Sequence, residues 1–231
     1  MKSYRCILFD LDHTLWDFET NSHETLQELY HHHELESRGV SSFSDFYKTF
    51  VEINTRLWEL YDLGKITREK IRFERFHGIL EKLGLDDVSL SLILSDEYVA
   101  KSPKKSGLIP NSIEVLEYLY PRYPMTIITN GFEEIQYTKM ESSGLTPYFK
   151  NVVTSARAGH KKPAKEIFEF ALNEGGFQPH EALMIGDNLF TDIGGAHNAS
   201  VDTVFFNPNK ISHEGNPHYD IHDLKQLMSI L

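Results

Sequence analysis

The stretch CILFDLDHTLWDF, residues 6–18, ends an apolar run on two aspartates separated by one leucine, Asp10 and Asp12. Paired carboxylates at such a point can act as nucleophile, acid, base or cation ligand, although an isolated Asp-x-Asp reads equally well as a solvated turn. Three further stretches carry groups suited to the same chemistry. MTIITNGF places Thr129 and Asn130 after a second apolar run, with Gly131 allowing close backbone approach, and a hydroxyl with neighbouring N–H groups can hold an oxyanion. In SARAGHKKPAKEIF, Pro163 suits the first turn of a helix, which predicts Lys162 beside that helix's positive end, where an ammonium can neutralise a phosphoryl oxygen. ALMIGDNLFTD carries Asp187 and Asp192 behind Gly186, predicted to permit a tight turn, and hard carboxylate oxygens suit Mg²⁺. Each stretch alone has a plain reading as a turn or a cap; the four together point to phosphoryl chemistry.

The elements that must position these groups follow from the apolar runs. Residues 5–9, 125–129, 151–154, 182–185 and 203–206 predict five strands. They are apolar throughout instead of alternating, and helix-like stretches separate the later ones, so the fold class is α/β with a parallel sheet covered on both faces. Ligands of such sheets bind beyond the carboxyl ends of the strands, which is where the candidate residues fall. Between the first two runs, stretches near 20–36, 43–63, 67–84 and 87–101 carry Leu, Ile, Phe, Trp and Tyr at three- and four-residue spacings. A crossover needs only a dozen or so residues, so this four-helix insertion is expected to be a second domain. The expected division is 1–15 with 106–231 as an α/β core, and 16–105 as a helical domain, with residues 102–112 as the return linker. His31 to His33 read as a solvated mid-helix face, and Trp58, Tyr61, Phe73 and Phe76 as helical core.

Composition narrows the partners. The 231 residues are 40% hydrophobic and 25% charged, as in folded globular proteins. A formal net charge of −11 disfavours nucleic acid polymers and anionic membrane surfaces, so a phosphate ligand must be met by a local cation. The first residues lack a signal-peptide pattern and no run approaches eighteen apolar residues, which predicts a cytoplasmic protein with no membrane partner. The single cysteine, Cys6, sits inside an apolar run and is expected to be a buried thiol.

DLDHTL, TNG, Lys162 before Pro163 and GDNLFTD closely resemble the four motifs of the haloacid dehalogenase superfamily, and the insert resembles its type-one helical cap. The resemblance spans essentially the whole chain and implies a Rossmann-like parallel-sheet core with an inserted four-helix cap domain acting as a mobile lid. It implies Asp10 as the nucleophile that forms an aspartyl-phosphate, and Asp12 as the acid that protonates the leaving oxygen and then activates water. For the latter, the surroundings of Asp12 in the closed site are expected to raise its pKa. It further implies Mg²⁺ held by Asp10, the backbone carbonyl of Asp12 and Asp187, with Asp192 in the outer shell. Thr129, Asn130 and Lys162 would seat the phosphoryl group with Asp10, and Thr14 would brace the first loop. The superfamily's dehalogenases lack an aspartate at the position of Asp12, so the chain reads as a phosphatase. His13 departs from the usual Gly, Asn or Asp.

Within the superfamily, LDHTLWDFETNSHETL resembles the pyrimidine 5′-nucleotidase branch. This implies a hydrolase of small phosphate esters, specifically pyrimidine nucleoside monophosphates; the expected state of assembly is a monomer or a dimer. Trp16 and Phe18 follow the catalytic loop, where a flat ring can stack on a nucleobase or pack the hinge. The alternatives are a sugar-phosphate or phosphoglycolate phosphatase, a phosphomutase, and a non-catalytic phosphate-binding module; retention of Asp10, Asp12, Lys162 and Asp187 argues against the last.

Overall fold

Successive residues of a strand face opposite sides of its sheet, so a run that is apolar at every position needs cover on both sides. The computed structural model, which describes residues 3–231, shows this in β1 (Cys6–Phe9). Ile7 and Phe9 enter one core, Cys6 and Leu8 the other. β4 (Ala182–Gly186) divides in the same way, with Leu183 and Ile185 on the first face and Ala182 and Met184 on the second. Each fully buried Leu, Ile or Phe contributes about 1.5–3 kcal/mol, so the two cores hold the strand ends in place.

The sheet has six strands in the order β3-β2-β1-β4-β5-β6, and every neighbouring pair is parallel. The remaining strands are β2 (Met125–Thr129), β3 (Asn151–Thr154), β5 (Asp202–Phe206) and β6 (Tyr219–Ile221). β1 lies between β2 and β4, so the chain order reverses beside it and opens a crevice at the carboxyl ends. The sixth strand was not expected. It is a three-residue edge strand, Tyr-Asp-Ile, with Asp220 exposed, and too short to stand out as an apolar run.

The insertion forms four helices, α1 (Phe18–His32), α2 (Phe43–Asp62), α3 (Arg68–Lys82) and α4 (Val88–Lys101). Ser42, Thr67 and Asp87 cap the last three by accepting the backbone N–H of Asp45, Lys70 and Leu90. The chain falls into two compact units, Met1–Phe18 with Ser106–Leu231, and Glu19–Lys105. Trp16 belongs to the core of the larger unit and bridges to Leu108. The ring cluster of the smaller unit differs from the one expected: Phe46, Phe50, Phe76 and Tyr98 are buried, whereas Phe73 is exposed and Trp58 and Tyr61 are half-buried. His33 lies just beyond the end of α1, not mid-helix, and pairs with Glu97 at 3.2 Å. His32, His33 and Glu97 bring possible ligand atoms within 4.8 Å of one another, but Lys101 also binds Glu97, at 2.9 Å.

The larger unit is completed by α5 (Ser112–Leu119), α6 (Glu133–Ser142), α7 (Ser155–Ala158), α8 (Lys165–Gly175) and short turns towards the carboxyl end. Among the described residues, no helix is long and apolar enough to cross a membrane.

Candidate active site

β1 delivers Asp10 to the rim, where its carboxylate is buried and accepts a hydrogen bond from Lys162 Nζ at 2.5 Å. The same ammonium donates to Asp192 Oδ1 at 2.6 Å. Lys162 is 2% exposed, so this bridge lies almost entirely out of water. Burial alone would lower the Lys162 pKa, but Asp10 and Asp192 outweigh it and hold the ammonium protonated beyond its ordinary range.

The route by which Lys162 reaches this position differs from the expected one. Pro163 is not in the first turn of a helix: its peptide bond with Lys162 is cis, and α8 begins only at Lys165. Asn130 positions Lys162 instead. Its Oδ1 accepts from the Lys162 N–H at 2.8 Å, and its Nδ2 donates to the Lys162 carbonyl at 2.9 Å. The Asn130 side chain thus acts on the site through the Lys162 backbone.

β4 runs into Asp187, whose Oδ1 accepts from Thr14 Oγ1 at 3.2 Å; Thr14 thus ties the first loop to the fourth. Asp192 sits in a π-helical turn, Leu189–Gly194, and accepts the Asn188 N–H at 3.0 Å. Gly186 serves a different purpose from the expected turn. A Cβ there would lie 2.3 Å from Asp192 Oδ2, so its missing side chain is the space Asp192 occupies.

Asp10, Asp187 and Asp192 bring oxygens within 4.8 Å of one another. Burial, then Asp192, push the Asp187 carboxyl up to about 7, and burial dominates over Lys162 in raising Asp10. Three crowded carboxyls beside one ammonium leave a surplus of negative charge, and their hard oxygens fit a small divalent cation such as Mg²⁺.

Asp12 has different neighbours. Its Oδ1 accepts from Lys139 Nζ at 2.5 Å, and its Oδ2 from Gln136 Nε2 at 2.9 Å. Burial raises its pKa, but Lys139, Gln136 and His13 outweigh that and lower it. Here Asp12 is an ion-paired carboxylate with a lowered pKa, opposite in direction to the rise expected for the closed site. Gln136 and Lys139 come from α6 and were not among the expected site residues. Thr129 Oγ1 accepts from the same Gln136 nitrogen at 2.6 Å and from the Gly131 N–H at 3.0 Å. Trp16 is fully buried, and Lys139 Nζ stands 4.4 Å from its ring centre, so that ring packs a core and supports a cation. Phe18 is half-buried, with the His13 ring 4.8 Å away. His13 has φ 63, which explains why Gly, Asn or Asp would suit its position.

The chain is similar in sequence and fold to known proteins. A family model described as haloacid dehalogenase-like hydrolase matches residues 4–200. The structure of YfnB from Bacillus subtilis bound to magnesium superposes with a TM-score of 0.89 at 31% identity, covering 100% of this chain and 99% of that one. Pyrimidine 5′-nucleotidase PynA of Streptococcus pneumoniae is 30% identical over 99% of this chain and 95% of its own length. Ribulose-1,5-bisphosphate 5-phosphatase of Halopiger xanaduensis is 32% identical over 89% of this chain and 86% of its own.

Proposed function

Because the chain belongs to the haloacid dehalogenase-like hydrolase family, we propose that it is a Mg²⁺-dependent phosphomonoesterase that works through an aspartyl-phosphate on Asp10 and takes pyrimidine nucleoside 5′-monophosphates. The observation that carries this reading is the buried Asp10–Lys162–Asp192 bridge with Asp187 alongside.

A carboxylate oxygen of Asp10 attacks phosphorus, the O–P bond to Asp10 forms, and the bond to the leaving oxygen breaks. A proton from Asp12 goes to that oxygen, so Asp12 must take up a proton on one carboxyl oxygen before this step. In the second half, water attacks phosphorus, Asp12 takes its proton, and the Asp10–phosphorus bond breaks to release phosphate. Two unit charges about 4 Å apart repel by about 4 kcal/mol at an effective dielectric of 20, which is the difficulty of bringing a carboxylate to a phosphate. Lys162 offsets part of it, and Thr129 with neighbouring N–H groups holds the transferring oxygens. Asp10, the Asp12 carbonyl and Asp187 would hold Mg²⁺, with Asp192 outside them; when bound, the cation supplies charge neutralisation of the phosphoryl oxygens.

The nucleotide substrate is supported by the similarity to PynA across nearly the whole chain. The similarity to a sugar-bisphosphate phosphatase favours a second reading, in which the same chemistry acts on a phosphorylated sugar. The four-helix unit is the candidate for this selection, since the strand-end groups serve any phosphomonoester. Phosphate release from pyrimidine and purine 5′-monophosphates, sugar phosphates and phosphoglycolate, with Mg²⁺ or EDTA, tests both. Preference for pyrimidine nucleotides supports the first reading, sugar preference the second, and release unaffected by EDTA contradicts the cation.

A further inference from the structure

We propose that Gln136 and Lys139 are positioning residues for the acid–base carboxylate of Asp12, with α6 setting its distance from the phosphoryl seat at Thr129; this rests on the aspartyl-phosphate reading. The two residues lie three apart on α6 and so share a face of that helix. Both are buried, Gln136 at 0% and Lys139 at 6% exposure. A polar pair buried on a short helix needs a reason, and here each side chain ends on Asp12.

Gln136 is a spacer. One amide nitrogen donates to Thr129 Oγ1 at 2.6 Å and to Asp12 Oδ2 at 2.9 Å, linking the hydroxyl at the end of β2 to the carboxylate after β1. A carboxylate only accepts hydrogen bonds, which fixes the amide with nitrogen inward. Its Oε1 is buried and, among the described residues, has no hydrogen-bond partner, so the amide is not held there by full satisfaction of its own polar atoms. The neighbouring loop is shaped around it: a Cβ on Gly131 would lie 2.2 Å from Gln136 Nε2, closer than atoms can approach. Gly131 is thereby explained as the space Gln136 passes through.

Lys139 fixes the other carboxylate oxygen. Its Nζ is 2.5 Å from Asp12 Oδ1 and is itself confined over the rings of Trp16, at 4.4 Å, and Phe18, at 5.8 Å. Two donors on two oxygens leave the Asp12 carboxylate little freedom to rotate. In the first half-reaction, where Asp10 bonds to phosphorus as the leaving bond breaks, the orientation of Asp12 decides whether its proton reaches the leaving oxygen.

The test is steady-state hydrolysis with Mg²⁺ by wild type, Lys139→Met, Lys139→Arg and Gln136→Leu, with melting curves for each. One substrate is p-nitrophenyl phosphate, whose phenolate leaves without a proton. The other is thymidine 5′-monophosphate or glycerol 1-phosphate, whichever the wild type turns over faster, because an alkoxide leaving group needs the acid. The expected result is a fall of about 10-fold or more in the ratio of kcat for the alkyl ester to kcat for p-nitrophenyl phosphate in Lys139→Met and Gln136→Leu, with partial recovery in Lys139→Arg. An unchanged ratio, or equal losses on both substrates, overturns the proposal. If Lys139→Met does not melt cooperatively, Gln136→Leu carries the same test. Asp10→Asn separates the two levels: an active Asp10→Asn overturns the aspartyl-phosphate reading itself, whereas an inactive one with unchanged ratios in the α6 variants overturns only the positioning role.

Discussion

Asp10 and Asp12 are separated by a single residue, yet their surroundings are opposites. Asp10 shares an ammonium with Asp192 and lies near Asp187, and burial, followed by these two carboxylates, raises its pKa against the pull of Lys162. Asp12 has Lys139 to itself and an amide besides, and is lowered. The first arrangement suits a group awaiting a cation and a phosphoryl group; the second holds an anion in a set orientation. One loop can thus present two carboxylates with distinct tasks because different elements supply the neighbours: strand ends for Asp10, helix α6 for Asp12.

The strongest way to break the contrast is to remove the nucleophile. Asp10→Asn should lower turnover at least about a thousandfold in a steady-state assay while the protein still melts cooperatively. Comparable turnover in the folded variant would leave the two aspartates without separate roles. Next in size is the loss of the bridging cation. Lys162→Met strands buried carboxyls and should cost about 3 kcal/mol or more in denaturant unfolding of the metal-free protein, a larger loss than Lys139→Met, because Asp12 is partly exposed. Equal losses would show that the two ion pairs are energetically alike.

The charge surplus also sets a pH dependence. Asp187 has an ordinary value of 3.8 and is pushed up to about 7 by burial and then by Asp192, so its proton favours the folded, metal-free chain. That contribution is complete below 3.8 and is lost as pH rises through about 7. A cation bound there must displace the proton, so apparent Mg²⁺ affinity measured by calorimetry should climb between pH 5 and about 7 and level off above. A flat profile would remove the electrostatic difference between the two sides. The smallest expected effect lies on the Asp12 side: His13→Asn relieves an uncommon backbone conformation but gives up the ring contact with Phe18, and unfolding should shift by less than about 1 kcal/mol.

The same contrast explains what could be read from the sequence. Strand-end residues were legible because apolar runs of four or five residues stop at them, and Asp10, Thr129 and Asp187 each follow or end such a run. The α/β class and the parallel sheet were legible for the same reason. Gln136 and Lys139 were not, because α6 reads Glu-Glu-Ile-Gln-Tyr-Thr-Lys-Met-Glu-Ser, an outwardly solvated helix with a weak apolar stripe. Their spacing of three, beginning seven residues after Thr129, is the faint signal that was present. Lys162 is legible only in part: its neighbour Pro163 suggests a helix start, while the hydrogen bonds that place it come from Asn130, distant in sequence. Burial of polar groups depends on which elements meet, and local pattern carries little of that.

The most direct test of the account is to quench the enzyme in acid during turnover of its best phosphomonoester with Mg²⁺ and map covalently bound phosphoryl by peptide mass. The expected result is a phosphoryl group on the peptide containing Asp10, absent in Asp10→Asn. Sustained turnover with no label on that peptide, even when the quench captures the steady state, would contradict it.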